Sequence, residues 1–213
     1  MRTTIVAILC AGLLATVPST AAAGSFAFHV AVNTSPLVGD PSGPFSLDFA
    51  LIDGSGTLAA PNTALVNNFT FGGGSAAGAP TLVGGASGSL TSGISLTDGA
   101  NFLNEIFQSF VAGSALGFDV YLTTNVDPGA PDAFSFAILD NNLLNLTTTG
   151  LGDALLVANI NASSLRLSDL QTFSTTSPAG VTVSVSNLPE PGSLVLLGTG
   201  IVAFGTRRWR ARQ

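Results

Sequence analysis

Between Gly24 and Asn187 apolar and polar residues alternate in short runs, and Gly, Asn, Asp or Pro closes nearly every run. A period of two puts alternate side chains on one face of an extended chain, whereas a helix needs a period near 3.6. Residues 25–32 read as a strand with Phe26, Phe28 and Val30 on one face. Residues 45–51 alternate again and turn at Asp53-Gly54, and residues 64–71 end in Gly72-Gly73-Gly74. Residues 116–123 place Phe118, Val120 and Leu122 together, and residues 134–139 are bounded by Asp132 and by Asp140-Asn141-Asn142. Runs at 154–160, 170–175 and 181–185 complete the set. Eight or more short strands at regular spacing predict an all-β fold, a single jelly-roll-like β-sandwich over residues 24–187.

Two stretches depart from that pattern. Phe102, Leu103, Ile106, Phe107 and Phe110 have helical spacing, although Phe102, Ile106 and Phe110 also fit one face of a strand. The reading favours a short helix or turn at 101–105, a strand at 106–111 and a hairpin at Ala112-Gly113-Ser114. Residues 72–92 are mostly Gly, Ala and Ser, which suits a flexible loop or a pair of flat strands.

Charge narrows the function classes. Charged residues make up 8% of the chain, there is no Lys, and five of the six Arg lie at the termini. Residues 24–190 hold all 12 acidic side chains against Arg166 alone, a net charge of −11. Such a body repels phosphate backbones and anionic headgroups, so no nucleic-acid partner is expected. Acidic loops leave Ca²⁺ as a plausible counter-ion. The one cysteine, Cys10, lies in the N-terminal apolar run, so the body has no disulfide, no cysteine metal site and no cysteine nucleophile. Leu9 before it is a poor fit to a lipidation signal, which wants a small residue there.

Both ends read as sorting segments. Met1-Arg2 is followed by an apolar run at 3–17, a break at Pro18-Ser19-Thr20, and Ala21-Ala22-Ala23. That order describes a signal peptide over residues 1–23, with Ala21 and Ala23 read by signal peptidase. A buried N-terminal helix is the competing reading. At the other end, Leu188-Pro189-Glu190-Pro191-Gly192 precedes an uncharged run at 193–206 and the tail Arg207-Arg208-Trp209-Arg210-Ala211-Arg212-Gln213. A 14-residue helix is about 21 Å long, and flanking residues bring it close to a bilayer core of about 30 Å. The arginines would stay cytoplasmic and the body outside. A plain membrane anchor is the simplest account of this layout.

The three-part end, Pro189-Glu190-Pro191, an apolar helix and an Arg cluster, resembles the PEP-CTERM sorting signal. The resemblance implies processing by an exosortase, a membrane-embedded cysteine transpeptidase, with Pro189, Glu190 and Pro191 as its recognition motif. It implies a Gram-negative, exopolysaccharide-producing host, and delivery to the cell surface or the extracellular matrix. The body also resembles a recurrent domain of PEP-CTERM proteins through Phe45-Ser46-Leu47-Asp48-Phe49 with Asp53-Gly54, Asn68-Phe69-Thr70-Phe71-Gly72-Gly73, and Pro131-Asp132-Ala133-Phe134-Ser135-Phe136. That domain has no activity attached to it.

Candidate chemistry in the body is sparse. His29 is the only histidine and would be the base of any Ser-His-Asp hydrolase, yet no Gly-x-Ser-x-Gly elbow opens a helix. A structural or surface histidine is the simpler account. Glu105 is the only Glu of the body outside the sorting motif, so a glycosidase pair would have to combine it with an aspartate. Asp127, Asp132 and Asp140 flank the strand at 134–139 and form a candidate Ca²⁺ set, with turn capping as the alternative. The body contains 13 Phe, one Tyr and no Trp, which argues weakly against an aromatic sugar platform. The expectation is a non-enzymatic surface or matrix protein associated with exopolysaccharide, with a carbohydrate-binding module as the alternative.

Overall fold

A computed structural model describes residues 24–54, 61–126, 129–161 and 164–188. The strands, in chain order, are β1 (Gly24–Asn33), β2 (Phe45–Ile52), β3 (Thr63–Thr70), β4 (Ser75–Ala76) and β5 (Thr81–Val83). There follow β6 (Ala86–Ser89), β7 (Gly93–Thr97), β8 (Leu103–Val111), β9 (Ala115–Thr124) and β10 (Asp132–Leu139). The last five are β11 (Thr147–Thr148), β12 (Leu156–Ile160), β13 (Leu170–Thr172), β14 (Thr175–Ser177) and β15 (Thr182–Asn187). Among the described residues there is no α-helix, only three 3-10 turns.

One sheet has the order β15-β1-β9-β3-β7-β6 and the other β13-β12-β10-β2-β8-β4, with β5 also on β8. The strand pairs are antiparallel throughout. Alternation puts Phe28, Phe118 and Val120 of the first sheet and Phe49, Phe134 and Phe136 of the second into one core, all fully buried. Across the sheet interface the Phe118 ring meets Phe49 at 5.2 Å and Phe136 at 5.0 Å between centroids, both edge-on. Offset and edge-on contacts of this kind add to area burial, because the ring edge is positive and the face negative. The all-β expectation is met, and the two sheets pack face to face.

The segment at 101–111 differs from expectation. No helix or turn occupies 101–105 as a unit: strand β8 already begins at Leu103 and pairs with β2 from Ile52↔Leu103 to Phe45↔Phe110. The inward positions are Asn104, Ile106, Gln108 and Phe110, all buried. Two of the four are amides, so the apolar residues left over fall at helical spacing by coincidence. Those amides hold the low-complexity segment in place. Asn104 Oδ1 accepts the Gly85 N–H at 2.7 Å, and Gln108 Oε1 accepts the Leu90 N–H at 2.8 Å. Gln108 Nε2 donates to the Gly78 carbonyl at 2.9 Å. Residues 72–92 are therefore three short strands, β4 and β5 on β8 and β6 on β7.

The expected hairpin at Ala112-Gly113-Ser114 is instead a crossing between sheets, because β8 lies in the second and β9 in the first. A hairpin would have kept both strands in one sheet. Thr34 ties the crossing down, its N–H on the Ser114 carbonyl and its hydroxyl on the Gly113 carbonyl at 2.7 Å. A Cβ on Gly113 would sit 2.1 Å from the Phe71 carbonyl oxygen, so only glycine fits this passage.

Candidate functional site

Several predicted site residues lie outside the described residues: Ala21 and Ala23, Asp127, and Pro189, Glu190 and Pro191. So do the expected signal helix and membrane helix. Among the described residues no helix is long and apolar enough to cross a membrane. What the structure does show is how the chain arrives at the C-terminal segment. β15 is an edge strand, paired on one side with β1 from Asn33↔Thr182 to Phe28↔Asn187. Leu188 follows directly, outside the ladder. The last strand of the sandwich thus ends at Asn187, next to the start of the sorting segment.

Of the candidate Ca²⁺ set, Asp132 and Asp140 are not brought together. Asp132 opens β10 and Asp140 follows its last residue. Eight residues of extended chain separate them by about 26 Å, far beyond a shared ion. Asp140 caps a turn: its Oδ1 accepts the Asn142 N–H at 2.8 Å and the Leu144 N–H at 3.0 Å. The Leu144 hydrogen bond, helped by Asn142, holds its carboxyl below the usual carboxylate range.

Asp132 instead joins residues that the sequence does not connect. Asp53 leaves β2, Asn62 leads into β3 and Asp98 leaves β7; all four side chains are buried. Asp132 Oδ1 accepts the Gly54 N–H at 2.9 Å, and Asp132 Oδ2 accepts Asn62 Nδ2 at 2.7 Å. A Cβ on Gly54 would lie 2.1 Å from the Pro131 carbonyl oxygen, and this close approach lets its N–H reach Asp132. The Asn62 N–H donates to Asp98 Oδ1 at 2.6 Å. Asn62 is satisfied on its other side by the Asn125 N–H at 2.8 Å and the Asn125 carbonyl at 2.9 Å. Burial first, then the charge of Asp132, a hydrogen bond shared between the Asp98 and Asp132 carboxyls, and the charge of Asp53 push Asp98 up to about 6 against the opposing Asn62 hydrogen bond.

A second centre lies on the outer face of the first sheet. As expected, His29 faces away from Phe28 and Val30; what sequence proximity did not reveal is its acid, Asp119, on the neighbouring strand. His29 Nδ1 lies 2.6 Å from Asp119 Oδ1, and Asn68 Nδ2 donates to Asp119 Oδ2 at 2.7 Å. Asn68 reaches that position from a left-handed backbone (φ 56°) inside an irregularity in the β3–β9 register. Among the described residues no serine or threonine hydroxyl is hydrogen-bonded to His29 Nε2.

A third centre is on the outer face of the second sheet. Asp48 and Glu105 are diagonal neighbours, since Asp48 is opposite Phe107 and Ala50 opposite Glu105. Burial first and the Glu105 charge second push Asp48 up to about 7. Its Oδ1 is buried without a hydrogen-bond partner. Near the 90–93 turn a cleft of about 630 Å³ is lined by Asn67, Asn68, Phe69, Phe71, Thr91 and Ser92, among others. That volume is within the usual range for small-ligand sites.

The segment that follows β15 marks an exported protein processed at the membrane. The segment itself is the PEP-CTERM protein-sorting motif: residues 187–210 match its family model, as in an exosortase substrate. Neither the curated proteins nor the solved structures contain a match to this chain.

Proposed function

We propose that this chain is a non-enzymatic protein of the cell surface or extracellular matrix, released from a transient inner-membrane anchor by an exosortase and retained among exopolysaccharides. The observation that carries the reading is the match of the sorting motif to residues 187–210. Signal peptidase would act after Ala23, and the helix at 193–206 would hold the precursor in the membrane until Pro189-Glu190-Pro191 is recognised. Cutting there leaves the sandwich whole, because its last ladder pair is Phe28↔Asn187. The Asp119–His29 pair orients a histidine as a catalytic acid would, and the non-enzymatic reading is favoured because no serine or threonine hydroxyl is hydrogen-bonded to His29 Nε2 among the described residues. The test is deletion of residues 189–191, followed by cell fractionation and mass spectrometry of the C-terminus. Uncut protein should accumulate in the inner membrane; unchanged release refutes the processing step.

The cleft favours a second reading, a carbohydrate-binding module. Phe69 and Phe71 stack at 6.1 Å between centroids and the amides of Asn67 and Asn68 line the same space. Sugars are held by this combination of ring faces and amide hydrogen bonds. Co-sedimentation with host exopolysaccharide, lost in a Phe71→Ala variant that stays folded, would support it; equal co-sedimentation of both would not.

A further inference from the structure

We propose that the cleft beside the 90–93 turn binds a stretch of neutral polysaccharide, more than one sugar unit long, and rejects acidic glycans; this rests on the carbohydrate-binding reading of that cleft. A second depression, of about 240 Å³, is lined by Leu65, Ser87 and Ser95, among others. It shares Asn67, Ser92 and Gly93 with the first, so the two form one groove that runs from β4 past the turn and on to β7. Ser95 is two residues beyond Gly93, about 7 Å along an extended strand. Gly93 keeps the join open. Its φ of 86° is a conformation that side chains rarely adopt, and a Cβ there would stand 3.5 Å from the Asn67 Cβ. Asn67 walls both depressions, and its Oδ1 is buried with no hydrogen-bond partner. A buried oxygen without a donor is rare in a folded protein. Turning the amide toward the groove gives that oxygen a sugar hydroxyl as its donor.

The charge of the site selects the kind of polymer. Every residue that lines the two depressions is uncharged. Behind them stand Asp119, which accepts Asn68 Nδ2 at 2.7 Å, and His29 on the other Asp119 oxygen. Acidic sugars are gripped best by arginine or lysine, whose hydrogen bonds to carboxylates are charge-assisted. Arg166 is the one such residue among residues 24–190. It lies just before β13, at one end of the second sheet, whereas the cleft lies by β4 at the other end. A carboxylate drawn into the groove would lose water, meet no cation, and enter the field of a body of net charge −11. Neutral hydroxyls carry none of these penalties and match the amides, hydroxyls and phenyl rings present.

The test separates host exopolysaccharide by anion exchange into neutral and acidic fractions and runs the purified exported protein through gels containing each. The neutral fraction should retard it and the acidic fraction should not. Asn67→Ala should weaken the retardation about tenfold. Ser92→Arg, on an exposed turn, should bring in the acidic fraction. Oligosaccharides cut from the neutral fraction should compete, and its monosaccharides at equal mass should not. Retardation of the wild-type protein by the acidic fraction as strong as by the neutral one overturns the proposal and leaves the carbohydrate-binding reading standing. Retardation by neither fraction overturns both. Equal competition by monosaccharides, or full retardation of a folded Asn67→Ala variant, also overturns the groove.

Discussion

The ring of Phe118, from β9, meets the ring of Phe49, from β2, edge-on at 86° with centroids 5.2 Å apart. These two strands belong to opposite sheets, so the contact is a direct tie between layers. Replacing Phe118 by Ala removes it together with the Phe136 contact and opens a cavity in close-packed surroundings. The expected loss is about 3–5 kcal/mol, read from urea unfolding, with the slope of the transition unchanged. A loss under about 1 kcal/mol would mean that the sheets are held elsewhere.

Gln108 predicts a local effect instead of a global one. Its side chain satisfies the Leu90 N–H and the Gly78 carbonyl from a buried position on β8. Gln108→Leu keeps the volume and leaves both backbone groups bare, at about 1–3 kcal/mol. Amide hydrogen exchange should accelerate across residues 75–92 well before it does in β1, β2 or β9. Uniform acceleration would contradict this.

Asp48 predicts a pH dependence. Its carboxyl stands at about 7 in the folded protein against an ordinary 3.8, because of burial and then Glu105. A raised folded value means that the native state holds the proton more tightly than the unfolded chain. The stabilising contribution is complete below about pH 3.8 and is lost as the pH rises through 7. Asp48→Asn, which cannot ionise, should exceed wild type by on the order of 2 kcal/mol at pH 8, discounted from the full shift for solvent screening. The gap should close by about pH 4. Urea unfolding at three pH values checks the sign.

His29 predicts a small effect. Its ring is partly exposed and its one hydrogen bond goes to Asp119, which keeps Asn68. His29→Ala should cost about 1 kcal/mol and leave sorting untouched. Loss of a hydrolytic activity on this substitution would favour the enzyme reading.

The strands were legible wherever inward positions are apolar, as in Phe28, Val30 and Val32 or Phe134, Phe136 and Ile138. They were not legible at 101–111, where Asn104 and Gln108 point inward and leave a helical pattern behind. Local composition did not show why a Gly-Ala-Ser stretch is ordered, because the groups that order it come from β8. Closeness in sequence groups Asp127, Asp132 and Asp140. An extended strand carries Asp132 and Asp140 to opposite ends, and the packing of one sheet on the other brings Asp132 to Asp98. His29 and Asp119 meet through the pairing of β1 with β9, and no spacing rule links residues 90 positions apart.

The direction of β15 fixes which way up such a domain stands. It runs antiparallel to β1 and leaves the sheet toward the end where Gly24 faces Thr124. A body moored through Leu188 therefore turns Asn62 and Asp132 toward its mooring. Thr34, Gly72 and Ser114 crown the far pole, and the Asn68–Phe71 cleft opens on that upper half, away from the mooring.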